Sequence, residues 1–510
     1  MAARAPRELV VLAWVSIVAG VVLRFVAPSP LWLDEALSVN LASLPLGEIV
    51  DALRRDGHPP LYYVLLHGWI GIAGDGDVAV RALSGLFSVA ALPLAWVAGR
   101  RRGGPVLAWL TVTVLALSPF ALRYATETRM YAMVSFLVLV GYLLVDDVVR
   151  RGRADWARLA GITLVSTALL YLHYWSMWLL GALVALIVVL AWRRPALVAR
   201  TLAAKVVAAV VVAGVAFLPW VPVALEQAAH TGTPWADRQR PVAAVAITLN
   251  DVAGGRFQDA SFVGAVVFVL VLLAVFGRAV DGRRILLELR TEPQFRAEAA
   301  VVVLTFGLGI GVAFVTASAY ASRYAAVIFP LLVLLVAGGL TRFAARLVRF
   351  GAVVTVLGLS LLGVWFNIGD QRSQARVAAR AIESEAGPGD LVVFCPDQLG
   401  PAGARELAGA EVEAVAYPLL GPPERVDWYD YAERNAAQDP AARAGEVAAR
   451  AGPGRGIFVV WNGTYRTFEG QCEALVETLG TLRPGGRIIV PDGSGEYYEP
   501  STVVYFPPTA

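Results

Sequence analysis

Charged residues are scarce in this chain of 510 residues. They make up 16% of the sequence, whereas a soluble globular domain carries about 25%. Hydrophobic residues make up 57%, and the mean hydropathy is +0.63. These values exclude a protein that is water-soluble over its whole length. The formal net charge is +3 and no run of Lys and Arg is interleaved with aromatic residues, so the sequence also argues against nucleic acid as a partner.

Cysteine and histidine are also rare, with two and four residues respectively. Cys395 and Cys472 form no CxxC motif, and the histidines form no HExxH motif. The sequence therefore identifies no cofactor, and the binding of a divalent metal stays open. In an oxidising compartment the two cysteines could pair, although sequence alone does not give the distance between them.

Long apolar runs recur through the first 369 residues. A membrane-spanning helix needs about 20 apolar residues, and about eleven runs approach that length. They are Leu9–Val26, Val78–Ala98, Val106–Phe120, Tyr131–Val148, Leu159–Leu172, Ser176–Trp192, Val206–Val221, Phe262–Phe276, Ala299–Ala317, Ala325–Leu340 and Gly351–Phe366. The sequence thus predicts a multi-pass α-helical membrane protein.

The positions of Lys and Arg predict the orientation of these spans. Cytoplasmic loops carry an excess of these residues. With the N terminus inside, every basic cluster falls on the cytoplasmic side; the clusters are Arg100–Arg102, Arg150–Arg153, Arg193–Lys205, Arg278–Arg296 and Arg342–Arg349. The pattern predicts a plasma-membrane protein with an odd number of spans. Its first outer loop covers residues 27–77, with a short amphipathic helix around Ile49 that is expected to lie on the membrane.

The composition changes after the last apolar run, from Asp370 onward. Helical stretches such as Ala432–Arg450 alternate with five β-rich runs, Leu391–Cys395, Val412–Tyr417, Ile457–Trp461, Arg487–Val490 and Thr502–Phe506. This alternation predicts a small α/β domain. The predicted organisation is a transmembrane domain over residues 1–369 and an extracytoplasmic α/β domain over residues 370–510.

The first outer loop carries two adjacent acids and a histidine. Asp34 and Glu35 follow the first span directly, where carboxylates gain nothing from lipid headgroups. Adjacent side chains point in different directions, so one carboxylate could act as a general base while the other makes a supporting contact. His58 precedes two prolines that fix the backbone. A lone histidine is equally often a plain hydrogen-bonding residue, so its role stays open.

A second group of polar residues stands at the predicted outer ends of later spans. Its members are Arg123, Tyr124, Glu127, Arg129, Tyr131, His173, Tyr174, Arg323 and Tyr324. Ionisable residues at such depths are costly unless paired or functional. Anchoring in the interface and structural ion pairing are the alternatives to a site, and the packing of opposite charges around Glu127 favours a site.

Several short motifs, in this order and on the predicted outer face, resemble the GT-C glycosyltransferases. The motifs are Trp32-Leu33-Asp34-Glu35, His58-Pro59-Pro60-Leu61-Tyr62-Tyr63, Ser118-Pro119-Phe120, Glu127-x-Arg129-Met130-Tyr131, Arg323-Tyr324 and Pro330. The most similar branch is the protein O-mannosyltransferase and aminoarabinose-transferase-like group (glycosyltransferase family 39-like). The resemblance covers roughly Leu9 to Leu340, and the predicted fold is therefore GT-C-like.

This resemblance implies a polyprenyl-phosphate-sugar donor, an extracytoplasmic site and inversion at the sugar C1. It matches Asp34 to the catalytic carboxylate of the first loop, with Glu35 beside it. It matches Arg323 to an arginine near the leaving phosphate. His58 stands where relatives carry Lys, so that a phosphate contact and a metal ligand are both open. Arg123 and Arg129 are expected to help bind the donor phosphate. The remaining substrate-binding candidates are Tyr124, Glu127, Tyr131, His173, Tyr174 and Tyr324.

The expected reaction moves a sugar, mannose or another hexose or pentose, from the lipid donor to a hydroxyl of a glycan, lipid or protein acceptor. A transporter or flippase of lipid-linked sugars is the main alternative; it would place ionisable residues near the bilayer midplane and repeat one half of the chain in the other. A membrane-anchored receptor would leave the outer acids unexplained. A lipid-linked sugar ligase or polymerase would use a pyrophosphate donor.

Overall fold

The computed structural model describes residues 5–193, 197–234, 236, 239–255, 260–282, 284–316 and 318–509. Its helices are α1 (Arg7–Leu23), α2 (Leu33–Ala42), α3 (Leu46–Leu53), α4 (Leu61–Ala73), α5 (Asp77–Ala116), α6 (Pro119–Ala125), α7 (Tyr131–Arg151), α8 (Trp156–Leu172), α9 (Ser176–Arg193), α10 (Leu197–Phe217), α11 (Val221–His230), α12 (Pro241–Val252), α13 (Ala260–Phe276), α14 (Arg296–Val315), α15 (Phe329–Leu340), α16 (Arg346–Gly369), α17 (Ala375–Glu383), α18 (Gly400–Glu406), α19 (Tyr431–Ala436), α20 (Pro440–Ala451) and α21 (Gln471–Leu482).

The strands are β1 (Gly277–Ala279), β2 (Ile285–Leu287), β3 (Gln371–Ser373), β4 (Leu391–Cys395), β5 (Glu413–Ala416), β6 (Ile457–Trp461), β7 (Arg487–Val490), β8 (Tyr497–Glu499) and β9 (Thr502–Phe506). Short 3₁₀ helices cover Leu218–Trp220, Ser322–Val327 and Asp397–Leu399. Arg194 and Arg283 of the predicted basic clusters, and Ala317 of one predicted run, lie outside the described residues.

Contacts within the chain divide it into two units. We call the first the helical unit; it comprises Met1–Ala27, Arg81–Pro222 and Arg238–Ile368. We call the second the α/β unit; it comprises Pro28–Val80, Val223–Asp237 and Gly369–Ala510. The segment after the first apolar run therefore packs with the C-terminal part of the chain.

The apolar runs of the sequence form helices, as predicted. Within the described residues, six helices are long and apolar enough to cross a membrane: Asp77–Ala116, Tyr131–Arg151, Ser176–Arg193, Val198–His230, Arg296–Val315 and Arg346–Gly369. Helix α5 covers two predicted runs and breaks at Gly103 and Gly104, where Gly104 has φ of +80° and Pro105 follows. The chain is a multi-pass helical membrane protein, and the count of eleven spans stays a prediction.

Ion pairs tie together the helix ends that carry the basic clusters of the helical unit. The Arg102 guanidinium lies 2.8 Å from the Glu298 carboxylate, which also accepts a hydrogen bond of 2.8 Å from the Tyr142 hydroxyl. Arg101 of α5 pairs with Asp146 of α7 at 3.5 Å. These contacts join the break in α5, the end of α7 and the start of α14 at one end of the unit.

The α/β unit is built on a five-stranded sheet with the order β5-β4-β6-β9-β7. β4 lies between β5 and β6 and is parallel to both, whereas β9 is antiparallel to β6 and β7. All five strands that the sequence predicted are present. The predicted helical stretch Ala432–Arg450 is wrong as a single helix, because Pro440 has no N–H to continue it. Asp439 caps a new helix there instead, through hydrogen bonds from the backbone of α20.

Cys395 and Cys472 form a disulfide bond that joins the end of β4 to α21. Both residues are fully buried in one hydrophobic core cluster of the α/β unit. Trp32 and Leu33, which precede the acids of the first loop, are buried in the same cluster. The disulfide-bonded domain and the start of the first loop therefore share a core.

Candidate functional site

Asp34 lies in the first turn of α2 in the α/β unit. Trp32 precedes the helix in an extended conformation, and its side chain offers no cap to the free N–H groups of the first turn. The Leu33 N–H donates instead to the Glu499 carboxylate, at 2.9 Å. The Asp34 side chain is half-buried, in a stretch where its neighbours Leu33 and Glu35 are buried. The helix thus presents Asp34 as the more accessible of the two acids.

Glu35 is fully buried and forms an ion pair with Arg372. The two charged groups are 3.4 Å apart, and both side chains are almost completely excluded from solvent. The backbone N–H of Arg372 also donates a hydrogen bond of 2.7 Å to the Ser29 hydroxyl. Burying a carboxylate is tolerated only when it is paired and hydrogen-bonded. The surroundings of Glu35 therefore suit a supporting contact.

His58 is held by the carboxylate of Asp56, which is not among the predicted site residues. Its Nδ1 atom lies 2.8 Å from Oδ2 of the buried Asp56, which also accepts a hydrogen bond of 3.1 Å from the Tyr63 hydroxyl. The Gln227 side chain donates to the His58 carbonyl oxygen at 3.3 Å. Because the Asp56 carboxylate contacts Nδ1, the other ring nitrogen, Nε2, points away from this carboxylate. Asp56 could have been suspected as an acid two positions before a proline-fixed histidine.

In the helical unit, Arg123 and Glu127 form a buried ion pair of 3.3 Å across one turn. Helix α6 begins at Pro119 with Ser118 as its cap, which places Arg123 and Tyr124 in its last turn. The Tyr124 hydroxyl donates to the Asp251 carboxylate at 3.0 Å. Asp251 stands near the end of α12, a segment that is not among the predicted apolar runs, so no sequence pattern pointed to it.

Arg323 lies in the 3₁₀ helix Ser322–Val327 and is half-buried. Its guanidinium, together with that of Arg123, is near enough to the Tyr124 hydroxyl to act on it electrostatically, as are the carboxylates of Glu127 and Asp251. The helical unit therefore brings two arginines and two acids within electrostatic range of one tyrosine. A pair of guanidinium groups with balancing acids is an arrangement that can bind an anion.

A row of aromatic rings continues from this cluster. Successive ring centres are separated by 5.0 Å for Tyr124 and Tyr131, 5.7 Å for Tyr131 and His173, and 5.3 Å for His173 and Tyr324. The backbone N–H of Trp175 donates a hydrogen bond of 3.2 Å to His173 Nδ1, so that a neutral His173 carries its proton on Nε2.

Two further predicted residues lie in the helical unit. The Tyr174 hydroxyl accepts a hydrogen bond of 2.9 Å from the Trp220 indole. Arg129 is buried, and its carbonyl oxygen accepts a hydrogen bond of 3.0 Å from the Ser84 hydroxyl. The backbone contact fixes the turn that leads into α7.

The predicted site residues thus fall into groups within each unit. Asp34 and Glu35 share one helical turn of the α/β unit, and His58 lies in the same unit with Asp56. In the helical unit Arg123, Tyr124, Glu127 and Arg323 come together, and the row of rings adds Tyr131, His173 and Tyr324. Within the part of the chain that the structure describes, no group of three or more His, Cys, Asp or Glu residues is arranged to hold a metal ion.

Comparisons with known proteins find similar solved structures. The chain matches ArnT from Cupriavidus metallidurans in its apo state with a TM-score of 0.56 and 12% identity, over 98% of this chain and 97% of that chain. ArnT bound to undecaprenyl phosphate matches with a TM-score of 0.55 and 11% identity over the same shares. An acceptor-peptide-tethered oligosaccharyltransferase from Archaeoglobus fulgidus matches with a TM-score of 0.52 and 11% identity, over 94% of this chain and 72% of that chain.

No protein-family model and no curated protein sequence matches the chain. At identities of 11–12% the structural likeness establishes the fold alone. The chain has the GT-C fold, with a membrane-embedded helical part and a C-terminal part that contains a sheet. The fold class that the sequence motifs predicted is confirmed.

Proposed function

We propose that the chain is a glycosyltransferase that moves a sugar from a polyprenyl-phosphate donor to an acceptor hydroxyl at the outer face of the plasma membrane. The observation that carries this proposal is the match over 98% of the chain to ArnT, whose solved structure holds undecaprenyl phosphate. The solved oligosaccharyltransferase of the same fold holds a tethered acceptor peptide. A lipid-linked donor and an extended acceptor are therefore both compatible with this architecture.

The arginines of the helical unit are proposed to bind the donor phosphate. Arg323 is the principal candidate, because the resemblance of Arg323-Tyr324 to the GT-C motif matches it to an arginine near the leaving phosphate. Arg123 and Arg129 are proposed to add positive charge around the phosphate, and His58 to contact it through Nε2. Charge-assisted hydrogen bonds to a phosphate strengthen as negative charge develops on it, so these groups would favour the departing lipid phosphate over the bound donor.

Asp34 is proposed as the general base. The acceptor oxygen attacks C1 of the sugar, and its proton passes to the Asp34 carboxylate. The bond between C1 and the phosphate oxygen breaks with inversion at C1, and its electron pair leaves with the polyprenyl phosphate. Proton removal of this kind typically contributes about 10²–10⁴-fold in rate. Glu35 would support Asp34 by holding its helical turn through Arg372.

The aromatic row is proposed to bind the sugar and the adjoining part of the donor. Tyr124, Tyr131 and Tyr324 offer hydroxyl groups together with flat apolar faces, and His173 offers an N–H on Nε2. Tyr174 and Glu127 complete the proposed substrate-binding set. Rings of this kind combine an apolar surface with a polar tip, which suits a ligand that is half sugar and half lipid.

The basic clusters support the orientation of this proposal. Their excess at alternate connections supports a cytoplasmic N terminus. The loop 27–77 and the α/β domain from residue 370 would then lie outside, where the disulfide bond between Cys395 and Cys472 is chemically stable.

A donor-turnover assay with purified protein tests the proposal. Wild type, Asp34→Asn and Asp51→Asn are compared on polyprenyl-monophosphate and polyprenyl-pyrophosphate sugars. Asp51 is the matched control, because it is an exposed acid of the same loop with 80% of its side chain in solvent. We expect wild type and Asp51→Asn to use the monophosphate donor and Asp34→Asn to bind it without turnover, which mass spectrometry of co-purified lipids would show.

Two results would contradict the proposal. Turnover of the pyrophosphate donor alone would assign the chain to ligase or polymerase chemistry. Movement of intact lipid-linked sugar across a vesicle membrane, without transfer to any acceptor, would assign it to transport.

A further inference from the structure

Two short strands of the α/β unit contact the first turn of α2. β3 and β8 pair in parallel, with Gln371 opposite Tyr497 and Ser373 opposite Glu499. They belong to the C-terminal part of the chain, whereas α2 comes from the segment directly after the first apolar run. Asp34 lies in the turn that they contact.

Three contacts join these strands to the turn. The Glu499 carboxylate accepts a hydrogen bond of 2.9 Å from the Leu33 N–H. The Arg372 guanidinium pairs with Glu35 at 3.4 Å. The Tyr498 ring packs edge-on against Trp32, with 5.2 Å between ring centres. The residues immediately before and after Asp34 are thus both held by the two strands.

The contact from Glu499 replaces a helix cap that the local sequence lacks. The first N–H groups of a helix have no partner within it, and Ser, Thr, Asp or Asn at the preceding position usually supplies one. Trp32 occupies that position, and its side chain has no oxygen that could accept a hydrogen bond. Glu499, 466 positions away in the sequence and 6% exposed, supplies the acceptor instead. A negative charge there also complements the helix dipole.

The burial pattern shows what this arrangement leaves accessible. Leu33, Glu35 and Ala36 are buried, and Asp34 is the half-exposed member of the turn. With its neighbours on both sides held, the turn cannot roll without breaking a buried contact. The C-terminal strands therefore hold the backbone turn that carries the Asp34 carboxylate.

We propose that Glu499 is a positioning residue for Asp34, acting through the backbone N–H of Leu33, and that the C-terminal domain thereby sets the geometry of the catalytic base. This inference rests on the proposed function, in which Asp34 accepts the acceptor proton. Misplacement of a reacting group by about 1 Å can cost on the order of 10²-fold in rate. The reach of the Glu499 side chain, more than its charge, is the property that matters.

Substitutions that change length and charge separately test this. Glu499→Asp keeps the charge but withdraws the acceptor from the Leu33 N–H, whereas Glu499→Gln keeps both length and acceptor and removes the charge. We expect Glu499→Asp to lower kcat by about tenfold with the KM for the donor unchanged, because positioning acts on the reacting geometry. Glu499→Gln should stay within about threefold of wild type, since a neutral acceptor still makes the bond.

Glu496→Asp is the matched control, because Glu496 is an exposed glutamate in the same part of the chain, next to β8. Thermal unfolding of every variant is measured alongside, so that a loss of folded protein is separated from a loss of kcat. If Glu499→Asp keeps the kcat of Glu496→Asp, or if Glu499→Gln is as slow as Glu499→Asp, the positioning role is wrong.

Asp34→Asn, assayed in parallel, separates this inference from the proposed function. An inactive Asp34→Asn with a normal Glu499→Asp overturns the positioning role alone. An active Asp34→Asn overturns the assignment of the base, and the positioning role falls with it.

Discussion

Two adjacent carboxylates, Asp34 and Glu35, have opposite surroundings. Glu35 is fully buried against Arg372, whereas Asp34 is half-buried. Removing one partner of a buried ion pair leaves the other charge unpaired, at a cost of about 3–5 kcal/mol. We therefore expect Glu35→Gln to lower the thermal stability of the protein, with activity lost in proportion to the folded fraction. Asp34→Asn should abolish turnover with the unfolding temperature nearly unchanged.

Thermal unfolding in detergent and single-turnover transfer rates distinguish the two substitutions. Asp51→Asn on the neighbouring helix serves as the control for both measurements. A stable, inactive Glu35→Gln together with an active Asp34→Asn would exchange the two roles.

Arg323 separates phosphate binding from simple anchoring in the interface. An anchoring cation needs charge and reach, so Lys should replace it with little loss. A phosphate ligand needs the planar, two-pronged guanidinium. We expect Arg323→Lys to lose one charged hydrogen bond, worth about 1.5–3 kcal/mol, and thus roughly ten- to a hundredfold in kcat/KM for the donor.

The kinetic constants for the lipid donor check this prediction. Arg100→Lys is the control, because Arg100 is an exposed arginine of a basic cluster. If both substitutions behave like wild type, the phosphate role passes to Arg123 or Arg129.

At the scale of single elements, a buried acid follows β4. Asp397 follows the strand, accepts a hydrogen bond from the Tyr431 hydroxyl and is 7% exposed. Burial raises the pKa of the Asp397 carboxyl from its usual value to about 7. Between the usual value and about pH 7 the folded protein holds a proton that the unfolded chain has lost. The free energy of unfolding therefore falls as the pH rises through this window and levels off above it.

We expect Asp397→Asn to remove this pH dependence, because the amide stays neutral and keeps an oxygen for Tyr431. Between pH 5 and pH 8, wild type should lose on the order of 2 kcal/mol more stability than the variant. Unfolding of the full-length protein at the two pH values measures the difference, with the exposed Glu433→Gln on α19 as the control. An identical pH dependence in wild type and Asp397→Asn would contradict the prediction.

The secondary structure of these elements could largely be predicted from local sequence. The strands Leu391–Cys395, Ile457–Trp461 and Thr502–Phe506 have the predicted bounds, because short apolar runs between turn residues have few alternatives. The split at Pro440 was missed although its signal is local, since proline cannot continue a helix that has already begun. The break of α5 after Arg102 likewise coincides with a Gly-Gly-Pro sequence.

At the scale of the whole molecule, the sequence indicated candidate site residues but not the partners that hold them. Asp34, His58 and Arg123 stand out because ionisable groups beside apolar runs are costly. Their partners could not be found in this way. Glu499 lies 466 positions from the residue it contacts, and the pairing of Glu35 with Arg372 spans 337 positions. Contacts at such separations depend on the folded chain and leave no local pattern.

Orientation in the membrane is the last property that a direct measurement can decide. Cys395 and Cys472 are the only cysteines of the chain and are bonded to each other, so the native protein gives no thiol background. A cysteine can be introduced at Gly421 or at Gly282 without crowding, whereas Gly254 is buried with φ of +115°. We expect an impermeant thiol reagent, added to intact cells, to label Gly421→Cys and to leave Gly282→Cys unlabelled until the membrane is permeabilised. Gly282 lies between β1 and β2, within one of the basic clusters. Basic clusters are typical of cytoplasmic loops. Labelling of Gly282→Cys in intact cells would place the basic ends outside, and the proposed base and α/β domain would then face the cytoplasm.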